Sequence, residues 1–214
     1  MPKLDHQAGQ NIRELAINRR IEAIRYFIAA FFVIFVPFVV ILNLTLSPVF
    51  YLLFIIIALW LGAKGVFLWK RAHHADQGAK GEEDVAQAIA NLEMQGWQIE
   101  YGIQLGNRLG DLDVFCISPQ EKAFAIDVKS HRGEIITDGQ ELYRRMGNQK
   151  YLFEKNFIEQ VMKQALQIKQ QKDLRFVTPI VAFSTARVSI QGDKLKNVYV
   201  VEKAKLLSLL KSLG

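Results

Sequence analysis

The stretch AFAIDVKS, residues 123–130, is an apolar run that carries an acid and a lysine two positions apart. Side chains alternate faces along a strand, so Asp127 and Lys129 share one face while Ile126 and Val128 share the other. Taken alone, the pair reads as an ion pair on the wet side of a sheet, a feature worth little energetically. A three-letter pattern does not discriminate between that and a functional site. The neighbouring segments decide.

Immediately upstream lies LDVFCIS (112–118), joined to AFAIDVKS by the turn-rich SPQEK, short enough for a hairpin. If these strands pair, the carboxylates that lead them, Asp113 and Asp127, converge. A third strand, WQIEYGIQL (97–105), comes earlier. Downstream, GEIITDGQELYRR reads as a hairpin turning at Asp138 and Gly139. NFIEQVMKQALQIKQQK then places Ile158, Val161, Ala165 and Ile168 on one helical face. Strands RFVTPIVAF and NVYVV and a terminal helix KAKLLSLLKSL complete the order. Helix, strand meander, helix, strands, helix is the signature of an α/β fold with a mixed central sheet flanked by helices.

Ahead of this domain, GEEDVAQAIANLEMQGW is expected to form a helix with acids in its first turn and Gly96 at its stop. Val85, Ile89 and Leu92 mark its buried face, and Glu82 continues that face at its end. Asp113 and Asp127 on adjacent strands, with Glu82 from a helix, make an all-oxygen set suited to Mg²⁺ or Mn²⁺. Such an ion lowers the pKa of a bound water and stabilises charge on a phosphate oxygen. Lys129, on the face of Asp127, is then beside that water or the phosphate. Asp111 is an alternative to Asp113, one step earlier in the loop GNRLGDLD.

Half of the chain is hydrophobic, and the excess is concentrated near the N-terminus. YFIAAFFVIFVPFVVIL (26–42) and VFYLLFIIIALWLGA (49–63) carry no charge. Each, with its flanks, approaches the roughly 20 residues a helix needs to cross about 30 Å of hydrocarbon. A second apolar run so soon after the first argues against a cleaved signal and for a transmembrane hairpin. Lys3, Arg13, Arg19, Arg20 and Arg25 precede the hairpin and Lys70 and Arg71 follow it, which predicts both ends and the soluble domain on the cytoplasmic side of an inner membrane. The expected organisation is a cytoplasmic segment 1–25, a hairpin 26–69, a linker 70–80 and a cytoplasmic domain 81–214.

Net charge is +6, unevenly spread. From residue 144 onward there are fourteen Lys and Arg against five Asp and Glu; residues 70–143 hold seven against thirteen. An acidic cluster beside a basic half suits a metal site next to a phosphate-binding surface. Arg132, Arg144, Arg145 and Lys150 are candidate phosphate contacts. The single cysteine, Cys116, forms no internal disulfide and sits in an apolar run as a core residue. His73, His74 and Asp76 read as polar linker residues, and His131 as a polar residue at a strand end.

Glu82, GDLD ending at Asp113, and IDVK with Asp127 and Lys129 resemble, in order and separation, the core of the PD-(D/E)xK nuclease superfamily. More closely, GAKGEEDVAQAIANL, GDLDVFCIS, AFAIDVKSHRGEI and NFIEQVMKQAL resemble the nuclease-related domain, NERD, over residues 78–168. The resemblance implies a restriction-endonuclease-like core in which Asp113 and Asp127 hold a divalent metal, Glu82 contributes from the first helix, and Lys129 assists the hydrolytic water. Gln160 matches the family's later helical glutamine. The chain departs from the family in having Asp127 where Glu is usual and no proline before Gln160. The function implied is a membrane-anchored, metal-dependent nuclease acting on nucleic acid, DNA first, in a bacterium. The alternative is an inactive membrane adaptor that uses a nuclease-like fold to bind nucleic acid or a protein.

Overall fold

The structure is a computed structural model that describes residues 8–41, 48–106 and 109–214. The loop expected between the two apolar runs, Lys3, and part of the loop before Asp113 lie outside the described residues. The chain divides into two compact units, residues 11–77 and residues 1–10 with 78–214.

The first unit is built from helix α1 (Gln10–Ile41) and the leading part of helix α2 (Pro48–Ile89). Small side chains allow these helices to approach. Ala16, Ala23, Ala58 and Ala72 are buried, and a Cβ on Gly65 would come within 2.6 Å of the Phe27 ring. Arg20 pairs with Asp76, and Arg19 donates to the Arg71 carbonyl, so charges at this end are partnered across the pair. Phe31, Phe32, Ile34 and Phe35 of α1, and Leu52, Ile55, Ile56, Leu59 and Trp60 of α2, are exposed. Among the described residues one helix, Val49–Gln95, is long and apolar enough to cross a membrane by length and composition, with a mean hydropathy of 2.2 in its most apolar window and 11 % of that window buried. The other apolar run lies in α1, which carries Pro37 within it and is described only to Ile41.

The linker expected at 70–80 is helical instead. It continues α2 without a break to Ile89, so GEEDV is not a first turn and its acids do not meet a helix dipole. The residues from Lys70 on are mostly good helix formers, and Gly78 and Gly81, which read as linker residues, are carried inside the helix at about 1 kcal/mol each. Gly81 has a packing reason to be there: a Cβ would sit 2.8 Å from Ser184 Oγ and 3.0 Å from Ser130 Cβ. A short 3₁₀ segment, Ala90–Gln95, ends at Gly96 in the left-handed region, the stop read from the sequence.

The second unit holds a six-stranded mixed sheet, β1-β2-β3-β7-β10-β9. Its strands are β1 (Gln98–Gln104), β2 (Asp111–Ile117), β3 (Ala123–Lys129), β7 (Val177–Phe183), β9 (Lys194–Leu195) and β10 (Val198–Glu202). β1, β2 and β3 form the antiparallel meander, whereas β7 lies parallel to both β3 and β10. β3 is apolar on both faces because both are covered. Val114, Cys116, Phe124, Ile126 and Val128 pack with Val85, Ile89 and Leu92 and with Leu206 and Leu210 of helix α4 (Lys203–Leu213). On the other face Phe115, Ala123 and Ala125 pack with Ala165 and Ile168 of helix α3 (Phe157–Gln171). Cys116 is buried in that core, and burial pushes its thiol up to about 12, leaving an inert side chain.

Between β3 and α3 the chain forms a second sheet, β6-β5-β4-β8, from β4 (Glu134–Thr137), β5 (Leu142–Met146), β6 (Gln149–Leu152) and β8 (Arg187–Val188). The β4–β5 hairpin turns at Asp138, whose Oδ1 accepts from the Gln140 and Glu141 amides at 2.8 and 2.9 Å. β6 has no hydrophobic signature to read, since its four residues are all exposed and lack alternation.

Candidate active site

The candidate side chains collect where β3 and β7 end, the edge at which open α/β sheets present their ligand sites. In the β2/β3 ladder Val114 faces Ile126 and Phe115 faces Ala125. One step further along the same register sets Asp113 opposite Asp127. Both project to the α3 side, and Lys129 shares that face, as alternation requires.

Asp127 is 1 % exposed. Gln160 Nε2, from the first turns of α3, donates to its Oδ1 at 3.2 Å. Its Oδ2 lies 2.7 Å from Lys129 Nζ, an ion pair, but lacks a hydrogen bond of good geometry. Lys129 is held from the other side by the face of Phe157, 4.9 Å from Nζ to the ring centre. Asn156 caps α3 by accepting from the Glu159 amide at 3.1 Å, fixing the helix start that positions both Phe157 and Gln160.

Asp113 is half-buried, and its Oδ2 accepts from the Val128 amide at 2.6 Å. Glu82 reaches the same edge from α2, which the bare Gly81 brings close to Ser130 and Ser184. It is 7 % exposed and accepts from the Gly9 amide at 3.1 Å through Oε2. Gly9 belongs to the same unit, has a positive φ of 74°, and leaves no room for a side chain beside Ala79.

Three acids within one another's electrostatic reach resist ionising together. Burial pushes Glu82 up to about 7; the Gly9 amide opposes the rise and the Asp127 charge adds to it. Asp113 is held well above its ordinary range by burial, then by the charges of Asp127 and Glu82. Burial also raises Asp127, with Lys129 as the main opposing influence. The structure therefore brings Asp113, Asp127, Lys129 and Gln160 together and sets Glu82 within their electrostatic reach. Among the described residues, no group of three or more His, Cys, Asp and Glu side chains is drawn together closely enough to cage a metal ion.

The donor set nonetheless fits a hard divalent cation: it is all carboxylate oxygen, mutually repelling, with a buried Asp127 oxygen that lacks a proper hydrogen bond. Asp111, two residues before Asp113 on β2, also adds its charge to the rise at Glu82. It is exposed, and its backbone carbonyl accepts from Gln164 Nε2 at 3.0 Å. Gln164 is the residue that the sequence reading missed. It is fully buried, one turn beyond Gln160, and its Oε1 has no partner. Its signal was a glutamine inside the apolar stripe of α3. His131 packs against Phe153 and Phe157, with ring centres 4.9 and 5.5 Å away. Burial, then Arg144 and Lys129, lowers its pKa. His73 and His74 lie in the helical stretch of the other unit.

Residues 77–184, just over half of the chain, match the nuclease-related domain family, NERD. The matched range includes every candidate side chain named above, from Glu82 to Gln164. No curated protein and no solved structure matches the chain.

Proposed function

The chain belongs to the nuclease-related domain family, and on that footing we propose that it is a membrane-anchored, divalent-metal-dependent nuclease that hydrolyses phosphodiester bonds of DNA. The observation that carries this reading is the buried Asp127 oxygen, 2.7 Å from Lys129 Nζ and opposite Asp113 in the ladder. Asp113 and Asp127 would hold Mg²⁺ or Mn²⁺, with Glu82 contributing from α2. The ion would supply a water of lowered pKa and neutralise charge on the phosphate. Gln160 keeps Asp127 turned toward that position, and the Val128 amide does the same for Asp113. Lys129, backed by Phe157, presents its ammonium group where a phosphate oxygen or the attacking water would gather negative charge in the transition state.

The exposed apolar side chains of α1 and α2 support anchoring through two helices, with both termini and the nuclease domain on the cytoplasmic side of a bacterial inner membrane. A second reading, an inactive adaptor that uses this fold to bind nucleic acid or a protein, draws support from the absence of a three-ligand cluster among the described residues.

Incubating the purified full chain with linear, supercoiled and single-stranded DNA, in Mg²⁺, Mn²⁺ or chelator, tests both. Metal-dependent cutting that disappears in Asp127→Asn and Lys129→Ala is the expected result. Retention of uncut DNA in every condition, with wild type and variants alike, favours the adaptor.

A further inference from the structure

The second sheet has no part in holding the candidate carboxylates, yet the chain ties it to them at both ends. β4 starts five residues after Lys129, so it begins no more than about 18 Å from that lysine along the backbone. β6 ends at Leu152, shortly before Phe157, the residue that backs Lys129. The β5–β6 hairpin is thus inserted between the two elements that carry the site. His131 stacks on the same Phe157 ring that backs Lys129, with ring centres 5.5 Å apart.

The hairpin's surface has an unusual composition. Arg144 and Tyr151 are cross-strand partners, with the guanidinium 5.7 Å from the ring centre. Lys150 lies 3.5 Å above the Tyr143 ring. Arg145 is spent in an ion pair with Glu134, but Arg144 and Lys150 face rings and no carboxylate among the described residues. Alternation along the register puts Arg144, Met146 and Tyr151 on one face of the hairpin and Tyr143, Lys150 and Leu152 on the other. On the Arg144 face Tyr151 and Met146 stand in solvent, 42 % and 47 % exposed. A grip on a duplex backbone calls for cations alone. Cations interleaved with exposed rings and apolar groups match an unpaired strand, whose phosphates and base faces are both on offer.

We propose that the Arg144 face of the β5–β6 hairpin is the binding platform for single-stranded nucleic acid, with Arg144 on a phosphate and Tyr151 stacking on a base, feeding the strand to the Asp127 edge. This rests on the nuclease reading for the role of that edge, but binding itself is measured without cutting.

The test is fluorescence anisotropy with the full chain in detergent, in chelator, using labelled single-stranded and duplex oligonucleotides of one sequence. Arg144→Glu is expected to weaken single-strand binding about tenfold and, for one lost phosphate contact, to reduce the salt slope by about 0.7, whereas Lys150→Glu on the opposite face changes it much less. Tyr151→Ala is expected to weaken single-strand binding by about five- to a hundredfold and duplex binding much less. Both positions are exposed or half-exposed, so the variants keep the fold, and unchanged circular dichroism checks it. Equal losses for the two forms, or no loss, overturn the proposal. So does an Arg144→Glu variant that keeps its oligonucleotide affinity but retains fewer phosphatidylglycerol vesicles, relative to phosphatidylcholine, because the platform then holds lipid headgroups. Single-strand binding through the hairpin with no cutting under any metal would leave this proposal standing and remove the nuclease reading. Cutting that is indifferent to the hairpin variants would do the reverse.

Discussion

Glu82→Gln removes an ionisation that the fold resists, and its effect on stability follows from the site's burial. The folded state keeps the Glu82 proton up to about pH 7, whereas an unfolded chain releases it near 4.5, the ordinary value for a glutamate. Between those values the folded state binds more protons, so its stability falls as pH rises and the loss is complete above the folded pKa. The whole shift corresponds to an upper bound of about 3 kcal/mol, of which about 2 kcal/mol falls between about pH 5.5 and pH 8. Glutamine keeps an acceptor for the Gly9 amide and has no charge to desolvate. In chelator, the variant should therefore gain about 2 kcal/mol over wild type on moving from about pH 5.5 to pH 8, or about 4 to 8 °C in the unfolding midpoint. Differential scanning fluorimetry of the full chain at both pH values reads this directly, while hydrolysis by the variant is lost. A variant that changes stability equally at both pH values would refute the argument that Glu82 is a buried, reluctant acid.

Gly9→Ala forces a side chain into a positive-φ position 2.7 Å from the Ala79 carbonyl oxygen. It should cost about 1 kcal/mol or more and pull the amide away from Glu82, steepening the loss of stability above neutral pH in the same assay. Gln164→Leu strips the Asp111 carbonyl of its donor, at about 1 to 3 kcal/mol, and loosens the start of β2. Hydrogen exchange should quicken at residues 111–113 while α4 stays protected, and kcat should fall more than KM rises. A reporter fused at Gly214 that matures only in the cytoplasm is expected to be active, and one that works only outside it silent.

The sheet was legible because each of its central strands announces itself. β2, β3 and β7 are apolar runs of ordinary strand length bounded by turn residues, and burial on both faces left no other place for them. The pairing of Asp113 with Asp127 followed from a short hairpin, since a tight turn fixes register and register fixes which side chains share a face. The small sheet was half legible. Asp138 and Gly139 disclosed the β4–β5 hairpin, but β6 is wholly exposed and β8 is two residues long, so neither has a hydrophobic pattern to read.

The errors along α2 have a common physical origin that also bears on the site. Gly78 and Gly81 weaken a helix locally, and local propensity therefore reads a linker there. Tertiary packing overrides it, because Gly81 is what lets the helix approach the ends of β3 and β7 closely enough for Glu82 to arrive beside Asp127. The residue that looked like a break in the helix is the one that makes its acid useful. The same reasoning covers Gln164: a polar residue in an apolar stripe costs stability unless it is bonded, and here it is only half bonded, through its nitrogen to the strand that carries Asp113. Both positions break a local rule at the site's own edge, and both do so by holding a carboxylate-bearing element in place.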